Sequence, residues 1–260
     1  KYNFNVAMET QETERDTLKQ RFAFAYDSGI RDLAGKVDFD YLPNPNHSVK
    51  FGYNHIYHTF SPGVTIFQIE EESMANPVDT TFGNTDITAN EMELYLEDDW
   101  ELGTRFKVNL GLHASGFMVE DSSYYSLQPR VAARFMVNEK MSLKAAYSHM
   151  TQYIHLLTNS TIGLPTDLWV PSTALIKPQR SLQYALGAVY EISEGIEISM
   201  EGYYKTMNNL IEYKEGASFF SMDGNWEDKP EFGEGKAYGF EFLARKQYGK
   251  TSGWIGYTLS

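Results

Sequence analysis

Apolar and polar residues alternate with a period of two along most of this sequence, over runs longer than ordinary globular strands. Successive side chains of a strand point to opposite faces, so such a run specifies a strand with two unlike faces. From Arg105 to Ser115, Phe106, Val108, Leu110, Leu112 and Ala114 share one face, and Arg105, Lys107, Asn109, His113 and Ser115 share the other. Between Glu91 and Trp100, Met92, Leu94, Leu96 and Trp100 oppose Glu91, Glu93, Glu97 and Asp99. From Ser181 to Ile192, Leu182, Tyr184, Leu186, Ala188, Tyr190 and Ile192 oppose Ser181, Gln183 and Glu191. Val37, Phe39 and Tyr41 alternate with Lys36, Asp38 and Asp40, and Ile196 and Ile198 with Glu197, Ser199 and Glu201. No segment carries a comparable helical period. Globular strands usually have about five or six residues, whereas a strand crossing a bilayer at a tilt needs about 9–11. The excess length favours a membrane barrel over a soluble sandwich.

The connections point the same way. Short turns are expected at Pro43–Asn46, Glu101–Gly103, Asn138–Lys140, Ser193–Gly195 and Tyr248–Lys250. Longer links are expected at Ser61–Thr88, Thr151–Lys177 and Lys214–Gly233, with a brief one at Glu120–Ser123. Barrels of the outer membrane alternate short periplasmic turns with long external loops in this manner. The expected fold is therefore all-β, an antiparallel meander of eleven or twelve strands forming a transmembrane β-barrel. Strand arithmetic leaves open whether it closes alone or forms part of a larger barrel.

A membrane barrel inverts the usual faces, with apolar residues toward lipid and polar residues toward the lumen. Arg130, Arg134, Lys144, Glu197, Glu201 and Glu241 are then expected to point inward. Tyr41, Trp100, Tyr190, Tyr213 and Trp254 are expected to form interfacial girdles. Hydrophobic residues make up 42% of the 260 and no run approaches the ~20 apolar residues of a spanning helix, so a helical membrane protein is excluded. The net charge of -13 argues against nucleic acid, whose phosphates demand Lys and Arg. With no cysteine there is neither a disulfide frame nor a thiolate metal site.

The segment Thr151–Lys177 is the most distinctive. Tyr153, His155, Asp167 and Trp169 are candidate ligand contacts on an external loop stiffened by Pro165 and Pro171; packing over the barrel mouth is the competing reading. The acidic, aromatic stretch Ser218–Asp228 is expected to be a solvated tip, with Asp223, Asn225 and Asp228 as candidate cation ligands of unconvincing spacing. His55, His58, His113 and His149 are scattered, and His55 and His58 cannot share a face of a regular strand. No metal site and no cofactor is expected. Neither a nucleophile elbow, a zinc-protease helix motif nor a Gly-rich phosphate loop occurs, so no catalytic residue is assigned and the chain is not expected to be an enzyme.

Several segments resemble TonB-dependent receptors. Residues 89–100 resemble that family's E-x-x-x-Y-x-x-D-x-W strand through Glu91, Tyr95, Asp98 and Trp100, followed by Lys107–His113, where His113 stands in place of a common Arg. Gln128–Ala132 resembles its P-R strand start, Tyr203–Tyr213 its Y-Y strand, and Gly235–Phe242 its g-x-a-x-G-x-E strand. Ser28–Asp32, Gln152–Leu157 and Gly163–Pro171 resemble the Bacteroidetes subgroup. The resemblance implies that residues 1–260 are part of a barrel domain, about half of 22 strands, belonging to a longer protein with a plug domain elsewhere. It also implies an outer-membrane location and energy from TonB, ExbB and ExbD acting through the plug. The implied cargo is a scarce nutrient, namely an iron chelate, cobalamin, glycan or peptide, and a surface lipoprotein is a further implied partner. Two readings compete with the importer: an outer-membrane enzyme on a smaller barrel, and a structural or adhesion barrel without a plug.

Overall fold

A computed structural model describes residues 2–10, 20–71, 78–83, 86–157, 168–214 and 226–260. Fourteen strands are assigned among them. They are β1 (Tyr2–Thr10), β2 (Gln20–Asn44), β3 (His47–Glu71), β4 (Val78–Gly83), β5 (Ile87–Leu102), β6 (Phe106–Val119) and β7 (Ser122–Met136). There follow β8 (Met141–Gln152), β9 (Ile154–Leu157), β10 (Leu168–Pro171), β11 (Gln179–Ser193), β12 (Ile196–Tyr213), β13 (Pro230–Lys246) and β14 (Gly253–Leu259).

Twelve strands make one antiparallel meander, β1-β2-β3-β5-β6-β7-β8-β11-β12-β13-β14, with β4 also on β3. Because β4 pairs with Val64–Ile69 and β5 with His47–Phe60, the two act as one interrupted rib beside β3. The sheet is open in this structure, its outer strands being β1 and β14. The five expected tight turns join β2 to β3, β5 to β6, β7 to β8, β11 to β12 and β13 to β14, all at one end of the sheet. Gly103 and Gly195 supply left-handed residues (φ 70° and 76°) in two of them, a conformation that costs glycine little. The longer links lie at the other end, and the brief β6–β7 link is a two-residue turn with Glu120 at φ 46°.

The expected link Ser61–Thr88 is largely strand instead. β3 runs to Glu71 and β4 follows, so β2 and β3 form a hairpin of 25-residue strands. The run Val64-Thr65-Ile66-Phe67 is β-branched and aromatic, and such residues favour a strand wherever a partner is present.

Register confirms the two faces. One cross-strand row reads Asp40, Lys50, Glu97, Gly111, Arg130, Ser148, Gln183, Lys205 and Ala237. The next row along reads Tyr41, Val49, Asp98, Leu110, Val131, Tyr147, Tyr184, Tyr204 and Tyr238. The apolar face is bare: Leu94 is 59% exposed, Leu96 53% and Leu186 70%. A soluble protein turns such a face inward, because burying a Leu side chain is worth about 1.5–3 kcal/mol. Here the apolar face is the outer one and the polar rows line the concave side. Arg130, Arg134, Lys144, Glu197, Glu201 and Glu241 all belong to polar rows, as their spacing predicts. Trp254 departs from expectation. It pairs with Arg245, which pairs with Glu197, so it shares the polar face while Ile255, Tyr257 and Leu259 take the apolar one.

Glycine and tyrosine recur as cross-strand partners on the polar side. Gly52 lies opposite Tyr95 and Gly239 opposite Tyr203. A Cβ at Gly52 would stand 2.7 Å from Tyr95 Cε1, and one at Gly239 2.8 Å from Tyr203 Cε1. Each ring lies across the bare glycine backbone, restoring contact where a side chain is missing.

Candidate functional site

The buried core is gathered at the long-link end. Phe60, Ile87, Phe117, Tyr153, Leu157, Val170, Ile176 and Trp226 belong to one cluster, built around the link between β8 and β11. Within that link β9 and β10 form a two-stranded ribbon, pairing Ile154–Leu157 with Leu168–Pro171. β10 lies against β2 and β3, and β9 against β12. Six strands separate β2 from β12 in the sheet, so the ribbon bridges the concave face. The described parts of the link, residues 151–157 and 168–177, thus fold inward as a strap.

Tyr153 anchors the strap. Its side chain is buried, its ring stacks on Phe117 (centroids 5.0 Å apart, planes at 3°), and its hydroxyl is hydrogen-bonded to Ser115 Oγ at 2.7 Å. Gln128 Nε2 donates to the same Ser115 oxygen (2.9 Å), while Gln128 Oε1 accepts from Thr151 N (3.0 Å). His155, two residues further along, is fully buried. Gln179 Nε2 donates to His155 Nδ1 (3.1 Å), which places the ring proton on Nε2, directed at Ser172 Oγ (3.0 Å). Ser172 Oγ in turn donates to the Tyr153 carbonyl (2.9 Å). Burial pushes the imidazole pKa down to about 4, so His155 is a neutral member of a satisfied network.

The strap is also held from outside. Tyr124 donates to the Thr173 carbonyl (2.5 Å), and Thr173 Oγ1 donates to Glu227. Glu227 sits in a short 3-10 turn, Trp226–Asp228, whose Trp226 is buried in the same core. Trp226 and Glu227, in the stretch expected to be a solvated tip, are therefore packed, whereas Asp228 is exposed as expected. Asp223 and Asn225 lie outside the described residues, as does Asp167.

Beneath the strap is a cavity of 850 Å³. Its roof includes Tyr153, Ile154, Leu156 and the half-buried Trp169, and its walls come mostly from the polar rows of the sheet, with Thr151 and Arg180 added at the ends of β8 and β11 from a row in phase with the apolar face. The two walls differ in charge. On the β2–β5 side stand Asp32, Glu91 and Glu93; on the β7–β12 side stand Arg130, Arg180 and Lys205. The acidic side is internally satisfied. His58, buried against Phe60 and Phe117, faces Asp32 with Nδ1 (2.7 Å) and Glu91 with Nε2 (3.2 Å). Asn54 Nδ2 donates to Glu93 (2.8 Å), and His113 Nε2 is 3.5 Å from the same carboxylate. Among the described residues, no three His, Asp or Glu side chains converge as metal ligands.

Of the residues expected to contact ligand, the structure brings Tyr153 and Trp169 to the cavity and places His155 behind it. The charged wall residues were not in that set. Arg130 was recognisable as inward-facing, but only register aligns it with Lys205 across β8 and β11, and only the strap's path makes a cavity of the space.

The sequence matches the family model described as "TonB dependent receptor-like, beta-barrel" over residues 2–260. The chain belongs to that family. It is a family of transporters and receptors rather than enzymes. No curated protein sequence matches it. Among solved structures it resembles the FrpB iron transporter from Neisseria meningitidis (F3-3 variant), with 13% identity and a TM-score of 0.59 over 98% of this chain and 42% of that one. It also resembles the copper transporter OprC, with 11% identity and a TM-score of 0.60 over 98% of this chain and 45% of that one. The RagAB peptide transporter gives 11% identity and 0.59 over 98% of this chain and 33% of that one. The chain spans less than half the length of these three structures, and at such identities the likeness establishes the fold.

Proposed function

We propose that this chain forms barrel wall and external loops of an outer-membrane, TonB-dependent importer of a scarce nutrient. The observation that carries the reading is the strap folded over an 850 Å³ cavity with a mixed apolar and charged lining, on a sheet whose other face is apolar and exposed. A cavity of several hundred Å³ with an aromatic lip is of the size that holds a small ligand. Trp169 and Tyr153 contact the cargo in this reading, Asp167 joins them from the same link, and His155 holds the strap in place. The proposed cargo is an iron chelate, a cobalamin, a glycan or a peptide. The complete barrel has 22 strands, and a plug elsewhere in the parent protein couples it to TonB, ExbB and ExbD. The subgroup resemblance favours a Bacteroidetes source and a surface lipoprotein as partner.

The test uses the intact parent protein in its own outer membrane. Its band on SDS gels is expected to migrate faster unboiled than boiled. Growth of the source bacterium on the limiting nutrient is expected to need both this gene and TonB. A soluble protein, or a nutrient phenotype independent of TonB, would overturn the importer reading.

A further inference from the structure

On three neighbouring strands the alternation of polar and apolar residues reverses at one level. Toward the tight turns, the outer-face positions of residues 33–41 on β2, 49–57 on β3 and 92–100 on β5 are largely apolar, as at Leu33, Val37, Phe51, Tyr57, Leu94 and Leu96. The two exceptions, Asp98 and His55, are hydrogen-bonded to His47 (2.6 Å) and Asn90 (3.0 Å). Toward the long links, the outer row reads Arg31, Thr59 and Thr88, and the adjoining inner row reads Ile30, Phe60 and Ile87. Arg31 and Thr88 are exposed, whereas Ile30, Phe60 and Ile87 pack in the core under the strap. Polar residues have moved to the outside and apolar ones to the inside.

The reversed phase continues along the strands. Between Ser61 and Val64, β3 carries one residue more than β2 does between Asp27 and Gly29, a bulge that shifts its parity. The sequence shifts with it: Phe67 pairs with Phe24 and Ile69 with Phe22, positions an even number of places from Ile30 along β2. Met8 and Thr10 of β1, and Thr80 and Val78 of β4, extend those two rows. The row between them reads Glu9, Ala23, Gln68 and Asp79.

We infer that the lipid-binding surface ends between the row of Leu33 and Tyr57 and the row of Arg31, Thr59 and Thr88, and that β1, β4 and the distal parts of β2 and β3 form a sheet standing in water outside the bilayer. The inference rests on the outer-membrane reading and sets where the bilayer meets this part of the wall. The three apolar segments are each about nine residues long, and a tilted strand needs about 9–11 to cross a bilayer. β2 and β3 have 25 residues each, so a large part of both is left over. A cation on the lipid face is costly at mid-membrane and nearly free at the interface, which suits Arg31 just beyond the apolar belt. A sheet in water turns its apolar rows toward the protein and its polar rows outward, the opposite of a sheet in lipid, so the reversal marks the change of solvent. The strap packs on the first reversed row, which places it and the roof of its cavity at this outer boundary.

The test is made on the intact parent protein reconstituted in phospholipid vesicles. Single cysteines replace Arg31, Leu33, Val37 and Thr88, any cysteine elsewhere in the protein being changed to serine, and each carries a bimane fluorophore. Acyl-chain nitroxide lipids quench from within the bilayer, and iodide quenches from the water. Labels at 33 and 37 are expected to lose fluorescence to the nitroxide and not to iodide, and labels at 31 and 88 to do the reverse. Nitroxide quenching at 31 and 88 equal to that at 33 and 37 overturns the inference and leaves the outer-membrane reading standing. Iodide quenching at 33 and 37 equal to that at 31 and 88 overturns both. A second measurement needs no label: Thr88→Arg is expected to keep the wild-type midpoint in vesicle-refolding titrations, where Leu94→Arg lowers it. An equal fall in the two variants overturns the inference.

Discussion

Replacing Tyr153 should release the strap while leaving the barrel wall intact. The ring is 2% exposed and stacks face to face on Phe117, so truncation to alanine removes a full aromatic contact from a packed site. Aromatic-to-alanine changes in cores cost about 3–5 kcal/mol, and the stacking geometry is worth about 0.5–1.5 kcal/mol beyond area alone. The hydroxyl is a separate quantity. Tyr153→Phe leaves Ser115 Oγ with its Gln128 donor, so it should cost about 1 kcal/mol, typical of one hydrogen bond. Hydrogen exchange of the intact protein reads these as local opening free energies. Amides of 154–157 and 168–170 should exchange about a thousandfold faster in Tyr153→Ala, and about fivefold faster in Tyr153→Phe, at roughly 1.4 kcal/mol per factor of ten. Amides in the middle of β5 and β6 should not change. The reasoning is refuted if the strap amides keep their protection in Tyr153→Ala, or if all strands lose protection together.

Three further outcomes follow from the same structure. His155 has a depressed pKa in the closed strap, so the opened strap binds the proton more readily and closure gains stability as pH rises. Lowering the pH from the ordinary histidine value of 6.5 toward about 4 should weaken closure by about 2–3 kcal/mol. Limited proteolysis of the strap at several pH values should show this slope in the native protein and not in His155→Gln. Leu94→Arg puts a cation on the apolar outer face and should destabilise the barrel by about 2–4 kcal/mol in vesicle-refolding titrations if it lies near mid-membrane, whereas Leu94→Phe should be nearly neutral. Gly52→Ala places a methyl 2.6 Å from Val37 O and against the Tyr95 ring, whose hydroxyl donates to Asp38 (2.5 Å). That overpacking should cost about 1–3 kcal/mol in the same titrations, and a wild-type midpoint would contradict the glycine–tyrosine pairing.

Much of the wall was legible because a two-residue period fixes the face of every side chain once a strand is recognised. Arg105–Ser115 and Ser181–Ile192 fall where the alternation puts them, and all five tight turns do. The extent of β3 was missed although Val64–Phe67 has strand-favouring residues, because Ser61-Pro62-Gly63 reads as a turn when the partner strand is unknown. Trp254 was misplaced for a related reason: an aromatic near a strand end reads as a girdle residue, but its parity with Arg245 and Glu197 decides its face. The site was legible only in part. Tyr153, His155 and Trp169 stood out by residue type, yet nothing local says that their link folds inward, or that His155 spends both ring nitrogens on Gln179 and Ser172. The alignment of Arg130 with Lys205 depends on three strand registers at once, and no short motif encodes it.

The central claim is that the apolar rows face lipid and the polar rows face an aqueous lumen. These 260 residues contain no cysteine, so single cysteines at 93, 94, 95, 96 and 97 can be introduced into the intact protein, with any cysteine elsewhere in it replaced by serine, and labelled one at a time in outer-membrane vesicles. Residues 93, 95 and 97 should react with a charged, water-soluble maleimide, while 94 and 96 should resist it and react with a lipid-soluble one. Uniform labelling along β5, or protection of the odd positions with exposure of the even ones, would contradict the inverted barrel.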